Sequence, residues 1–322
     1  MGREREPLRT GQTGPVSVVV VMPGQGSQTP GFLEPWLELP GARDALETYG
    51  AAAEVDLVAH GTVSDADTIR DTKVAQPLIV AASVLAWTAL SSRITSPVAG
   101  VAGHSVGEIA AIAAAGILDE AAALRLVGIR GRAMAEAAGH TPTGMSAVLG
   151  ADEAELLAQL EALGLEPANF NGGGQIVVGG ALDALEALKN DPPAGARVMP
   201  LQVAGAFHTR YMAPAVETLR TAVAELSPAD PVRTIWTNRD GSAVASGSAF
   251  LDLLVGQVAS PVRWDLTMQS FEAAGITGLV ELAPAGTLVG LAKRGLKGLP
   301  TVAVKTPDDL EAAVALIDGV AA

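Results

Sequence analysis

The chain has 322 residues, a formal charge of −14, 49% hydrophobic residues and only 17% charged residues. This length suggests about two domains with ample apolar material for a core, which excludes a disordered chain, and the acidity argues against nucleic acid or an anionic membrane surface as partner. There are no cysteines, which excludes thiol nucleophiles, thiolate metal sites and disulfides, and the four histidines are scattered with no HExxH pair, so no metal centre is expected.

Residues 1–14 are polar and rich in proline and glycine, and read as a flexible leader without the features of a signal peptide. Val16 to Met22 is almost continuously apolar and β-branched, as a strand buried on both faces should be. The loop Pro23-Gly24-Gln25-Gly26-Ser27-Gln28 follows, but Thr29 and Pro30 break the dinucleotide fingerprint, and no phosphate-loop Gly-Lys-Ser/Thr occurs anywhere. Such a loop at a strand's carboxyl end can instead point backbone N–H groups into a site. Helices are predicted over Ala42 to Ala53 and Ala75 to Arg93. The longest apolar run, Leu78 to Leu90, is too short to span a bilayer and reads as a buried helix.

Val98 to Ala102 then leads, as a strand, into Gly103-His104-Ser105-Val106-Gly107 and an alanine-rich helix from Glu108 to Ala115. Glycines two residues either side of a serine permit the sharp strand-to-helix turn of a nucleophile elbow, with the helix N-terminus stabilising negative charge beside the serine. A chance Gly-x-Ser-x-Gly is the alternative in a chain with 36 glycines, but strand and helix flank this one as the elbow requires. Asp119 is expected to cap a further helix running to about Ala138. At 100° per residue, Ala123, Leu126, Val127, Ala133, Met134 and Ala137 share one face of it, with Arg130 at the centre; Arg125 and Arg132 fall on the opposite side. A guanidinium on an apolar stripe needs a partner, and on these residues alone a structural bridge to an acid, or a snorkelling side chain, is favoured over a ligand role.

Residues 144–206 read as a separate unit. Strand Met145–Leu149, helix Asp152–Leu163, strands Ala168–Phe170 and Gln175–Val178, a helix through Leu182, Leu185 and Leu188, and strand Arg197–Val203 give the ferredoxin-like order β-α-β-β-α-β. Strand and helix alternation resumes after it, from helix Tyr211–Leu226 to helix Asp308–Ile317. The fold class is therefore α/β: a mainly parallel core, residues 15–143 and 207–322, carrying an inserted ferredoxin-like subdomain, residues 144–206.

A serine hydroxyl needs a neighbouring base. His104 leaves the turn in another direction and reads as a packed or hydrogen-bonded histidine, while His60 and His140 lie in polar contexts. His208, in Ala204-Gly205-Ala206-Phe207-His208-Thr209, stands where the insertion returns to the core, a natural rim for a cleft. No Asp or Glu is singled out as third member, so the residues alone give a serine–histidine pair.

Taken together, Pro-Gly-Gln-Gly-Ser-Gln at 23–28, Gln76-Pro77, Gly-His-Ser-Val-Gly-Glu at 103–108, Arg125-Leu-Val-Gly-Ile-Arg130, Asn169-Phe-Asn171, Gly-Ala-Phe-His at 205–208, Gln257 and Pro261-Val-Arg-Trp264 are far more specific than the elbow. Over residues 16–318 the chain resembles the malonyl-CoA:acyl-carrier-protein transacylases of bacterial fatty-acid and polyketide synthesis. The resemblance implies Ser105 as the acylated nucleophile, His208 as its base, and the backbone amides of Gln25 and Val106 as oxyanion hole. It further implies Arg130 as the grip on the malonyl carboxylate, the Gln257 main chain as the orienter of His208, and Phe207 as a selector for malonyl over branched acyl groups. It implies malonyl-CoA and acyl carrier protein as partners, with no cofactor beyond the arms its substrates carry; the absence of cysteine fits a cytoplasmic protein, and a monomer is expected. Carrier proteins of this kind are acidic, which makes Lys293, Arg294 and Lys297 a candidate docking patch. The rival readings are a serine thioesterase or esterase, and a catalytically silent acyl-CoA- or nucleotide-binding module.

Overall fold

The computed structural model describes residues 16–320; the leader expected over 1–14 lies outside the described residues. The chain opens on β1 (Val18–Met22), all five residues buried, then α1 (Ala42–Ala53) and α2 (Leu57–Thr62). Next comes α3 (Thr72–Ser91), starting three residues before the expected position because Asp71 caps it, accepting from the Lys73 amide at 3.2 Å. By length and composition α3 would pass for a membrane span, yet 83% of its most apolar stretch is buried in the protein. The elbow follows as β2 (Gly100–Gly103) and α4 (Gly107–Ala115), and then α5 (Glu120–His140), capped by Asp119 as the sequence predicts, with the Ala122 amide at 2.7 Å.

The insertion comprises β3 (Thr143–Leu149), α6 (Glu153–Leu163), β4 (Glu166–Gly172), β5 (Gln175–Ala181), α7 (Leu182–Asn190) and β6 (Arg197–Pro200). The return to the core gives α8 (Ala213–Ala224), β7 (Ile235–Trp236), α9 (Gly247–Gln257), β8 (Val262–Arg263), α10 (Trp264–Ala273), β9 (Gly278–Glu281), α11 (Thr287–Gly295), β10 (Thr301–Ala303) and α12 (Leu310–Asp318).

The core sheet is wholly parallel, in the order β10-β9-β1-β2-β7, with Val19 of β1 in register with Gly100 of β2 and with Leu279 of β9. The central β1 is apolar at every position because helices cover both faces, the expectation for a buried parallel strand. In the insertion β6-β3-β5-β4 run antiparallel, the ferredoxin-like order, over an apolar core of their own that includes Val148, Leu156, Leu160, Val178 and Leu188. Two further details, both in the insertion, differ from the sequence reading. Strand β6 stops at Pro200 rather than Val203, because the chain turns there and the Val203 amide bonds the Leu201 carbonyl at 3.1 Å. The inserted sheet also gains a fifth strand from the core half of the chain, β8, parallel to β4 through Asn169–Val262 and Phe170–Arg263. Two residues carry too short a pattern to read as a strand.

Candidate active site

The serine sits on a turn that only its flanking glycines allow. A Cβ on Gly103 would lie 1.9 Å from the Gly107 carbonyl carbon, and one on Gly107 would lie 2.2 Å from the Met22 oxygen. Between them Ser105 adopts left-handed backbone, φ 53°, a conformation that costs a non-glycine residue roughly 1–3 kcal/mol unless its surroundings impose it. Here they do. The Ser105 amide donates to Asn238 Oδ1 at 2.7 Å, the Asn238 amide nitrogen Nδ2 donates to the Gly103 carbonyl at 2.7 Å, and the His104 amide donates to Met22 at 3.0 Å. Asn238 is fully buried just past β7, so one side chain ties both sides of the elbow.

His208 meets the serine from the opposite wall, where the insertion rejoins the core. Its Nε2 is 2.7 Å from Ser105 Oγ and its Nδ1 is 2.8 Å from the Gln257 carbonyl oxygen. A carbonyl can only accept, so Nδ1 carries the proton and Nε2 is left to accept from the serine hydroxyl. The third member that sequence reasoning could not find among the acids is thus a main-chain carbonyl at the end of α9. Burial, reinforced by the Arg130 cation, pushes the imidazole down to about 3 from its ordinary 6.5, which keeps it neutral and able to take a proton.

Arg130 is completely buried in α5. Its Nη1 donates to Gln76 Oε1 at 2.7 Å, its Nη2 donates to Gln257 Oε1 at 2.8 Å and reaches Ser105 Oγ at 3.4 Å, and its Nε has no acceptor among the described residues. The acid bridge favoured from the residues alone does not form: no carboxylate pairs directly with this guanidinium among the described residues. Burial lowers it to about 10, opposed by nearby Glu108, so it remains charged at neutral pH. Arg125 and Arg132 are exposed, as the helical periodicity predicts, and Arg132 pairs with Glu54 at 3.1 Å.

A cavity of about 230 Å³ opens above the dyad, between the core and the insertion, with Ser105, His208, Gln25, Val106, Gln76 and Phe207 in its wall; Arg130 lies behind this lining, at Ser105 and Gln76, rather than in it. Gln25 lies on the loop after β1 and Val106 is the N-cap of α4; among the described residues neither backbone amide has a protein acceptor. Phe207 is buried and faces the cavity beside the base. His104 behaves as the sequence reading expects of a packed or hydrogen-bonded histidine: half-buried at the cavity wall, 2.9 Å from Asn171 Oδ1 and edge-on to Trp264. Burial lowers its basicity as well. A hydrogen-bonded nucleophile–base pair, two unclaimed amides and an adjacent guanidinium can attack an acyl carbon, hold an oxyanion and receive an anionic substituent. Among the described residues no cluster suited to a metal ion is present.

Three residues of this constellation escaped assignment in the sequence. Gln76 stands in a quoted motif without a role, Glu108 in another, and Asn238 in none. The signal for Glu108 was available: it is the sole charged residue of α4, whose other members are glycine, alanine and isoleucine.

The acyl transferase domain family model matches residues 19–314. The chain is 52% identical over 298 residues to the malonyl CoA-acyl carrier protein transacylase of Mycobacterium tuberculosis (strain ATCC 25618 / H37Rv), spanning 91% of this chain and 98% of that protein. The crystal structure of MCAT from Mycobacterium tuberculosis superposes with a TM-score of 0.90 at 51% identity, over 92% of this chain and 99% of that one. A type II PKS acyl-carrier protein in complex with its malonyl-transacylase offers a similar chain at 29% identity and a TM-score of 0.88, over 94% of this chain and 99% of that one.

Proposed function

The chain belongs to the acyl transferase domain family, and from that premise we propose that it carries a malonyl group from coenzyme A to the phosphopantetheine thiol of an acyl carrier protein. The reaction is ping-pong. As Ser105 Oγ attacks the thioester carbonyl, its proton passes to His208 Nε2, and the amides of Gln25 and Val106 hold the oxyanion. The C–S bond breaks, the departing coenzyme A sulfur takes the proton back from His208, and a malonyl-serine ester remains. The carrier's thiol then gives its proton to His208 and attacks the ester, and the proton returns to Ser105 as the serine leaves. Gln257 keeps the imidazole in the needed tautomer throughout. The steps need no metal or resident cofactor, and α3, the one helix apolar enough to span a membrane among the described residues, is buried inside the protein as a core helix.

The observation that carries the reading is the placement of Arg130 Nη2 at 3.4 Å from the hydroxyl that His208 contacts at 2.7 Å. A thioesterase acting on plain acyl esters has no use for a buried guanidinium there, and a silent binding module has no use for the dyad. The insertion, 144–206, supplies the wall opposite the elbow. Helix α11 contributes Thr287 and Leu291 to the cavity and ends on exposed Lys293 and Arg294, which supports that end, with Lys297, as the approach for an acidic carrier. Mass spectrometry after brief exposure to malonyl-CoA tests the reading: a malonyl adduct on Ser105 that persists in water and discharges onto carrier protein is expected. Rapid release to water without carrier would favour the thioesterase.

A further inference from the structure

Glu108 is a carboxylate beside the site, 1% exposed in the first turn of α4, to which the transfer steps give no part. Its Oε1 accepts the Asn238 backbone N–H at 2.6 Å, and its Oε2 accepts from Gln257 Nε2. Burial raises the Glu108 carboxyl to about 8, opposed by the Asn238 amide and the Arg130 cation; in its ionised form it only accepts, and so dictates which way the Gln257 amide faces. With Nε2 turned to Glu108, Gln257 Oε1 is turned to Arg130, where it receives Nη2 at 2.8 Å. The reversed amide would set its NH2 against the guanidinium and its oxygen against the carboxylate. The Ser105 carbonyl, 3.1 Å from the same Nε2, reinforces the choice.

We propose that Glu108 is a positioning residue for acyl selectivity: acting through the Gln257 amide, it holds Arg130 where the carboxylate of the acyl donor is received. The proposal rests on the assignment of Arg130 to that carboxylate. The interposed amide is what makes the arrangement workable. A direct Glu–Arg bridge would occupy the fork that the substrate needs. Through Gln257, Glu108 sets its carboxyl behind the guanidinium without pairing with it, and Arg130 Nε has no acceptor among the described residues.

The test compares two reactions of Ser105 in the parent, Glu108→Gln and Glu108→Asp: malonyl loading from malonyl-CoA, and labelling by phenylmethanesulfonyl fluoride, a neutral reagent that needs the dyad but not the guanidinium. Gln at 108 offers one oxygen to two donors, so the Gln257 amide loses its instruction. Malonyl loading should fall roughly tenfold or more while sulfonylation, which also counts the folded fraction, changes less than about threefold. Glu108→Asp retains two acceptor oxygens and should recover part of the malonyl loading. Adding Glu108→Gln to Arg130→Ala should cost malonyl loading little further, since both changes remove one function; a general structural role would give additive losses. Parallel losses in the two reactions, additive losses in the double variant, or failure of both position-108 variants to fold would overturn the proposal. Unchanged malonyl-to-acetyl preference in Arg130→Ala would instead overturn the reading beneath it.

Discussion

Ser105 and His208 both hold left-handed backbone, at φ 53° and 61°, and their side chains meet at 2.7 Å. Two strained residues facing one another are stable only because each is tied from behind, Ser105 by the side chain of Asn238 and His208 by its amide to the Val258 carbonyl at 3.1 Å. The strain turns both functional atoms into the cavity rather than along their own elements. Ser105→Ala should abolish covalent loading, as read by intact-protein mass spectrometry, and a malonyl adduct on any other residue would contradict the mechanism. His208→Ala should slow loading by about 10²–10⁴-fold, the scale of a positioned base; near-normal loading would mean that another base operates.

Asn238→Ala removes the acceptor of the half-buried Ser105 amide and the donor to the buried Gly103 carbonyl together. Unsatisfied buried groups cost about 1–3 kcal/mol each, so melting should fall by several degrees. Malonyl loading per folded molecule should fall as well, because the elbow loses what imposes its φ. Loss of stability with unaltered loading would show that the turn holds without its clamp.

The path from sequence to site was uneven, for physical reasons. The elbow was legible because its glycines answer a local steric demand, and Arg130 stood out because a charge on an apolar stripe breaks a periodic pattern. The inserted unit was legible from short strands and an Asn-Gly-Gly-Gly turn. Its fifth strand, Val262–Arg263, was not, since two residues gain strand character only from the neighbour they reach. Glu108, Gln257 and Asn238 matter through contacts distant in sequence, 49 residues for Gln257 with His208, 127 for Gln257 with Arg130 and 130 for Glu108 with Asn238. No local pattern encodes such contacts; the resemblance supplied Gln257, and the coordinates supplied the other two.

The depressed basicity of His208 sets the direction of the pH response. Protonating the imidazole removes the base, so loading falls as pH falls through its pKa, and a value of about 3 in place of 6.5 moves that limb to more acid pH. The profile of kcat/KM for malonyl loading should therefore show no inflection at the ordinary imidazole value. Stability follows the same sign. Below 6.5 the unfolded chain takes a proton that the folded site refuses, so stability is lost as pH drops from 6.5 toward about 3. His208→Gln should flatten that part of a melting-temperature profile, and an equally steep loss in the variant would assign the acid sensitivity to other groups.

Phe207 is buried beside His208 with its side chain in the cavity wall. A bulky ring there leaves little room for a branch next to the thioester carbonyl, so malonyl should load ahead of methylmalonyl, and Phe207→Ser should narrow the gap. One methyl group is worth only about 1–3 kcal/mol in a pocket, which makes the preference strong but finite. Equal loading of the two donors by the parent would contradict the assignment.

Arg130 gives the sharpest expectation. Its guanidinium is fully buried, held by two amide oxygens, and its Nε has no acceptor among the described residues. A malonyl carboxylate supplies both the missing acceptor and the missing charge, in a fork geometry that a lysine does not reproduce. Hydrogen bonds to charged groups are worth about 1.5–3 kcal/mol each, so Arg130→Ala should slow malonyl loading at least ~10–100-fold. Acetyl-CoA offers no carboxylate and leaves the guanidinium as it stands in the empty site, so acetyl loading should hold or improve. Because no carboxylate pairs directly with Arg130 among the described residues, no direct ion pair is broken by the change. The measurement is the ratio of malonyl to acetyl loading rates in parent and variant, with a melting curve alongside. A collapse of that ratio at similar stability marks a substrate grip, whereas a parallel fall in both rates with a lower melting temperature would return Arg130 to a structural role.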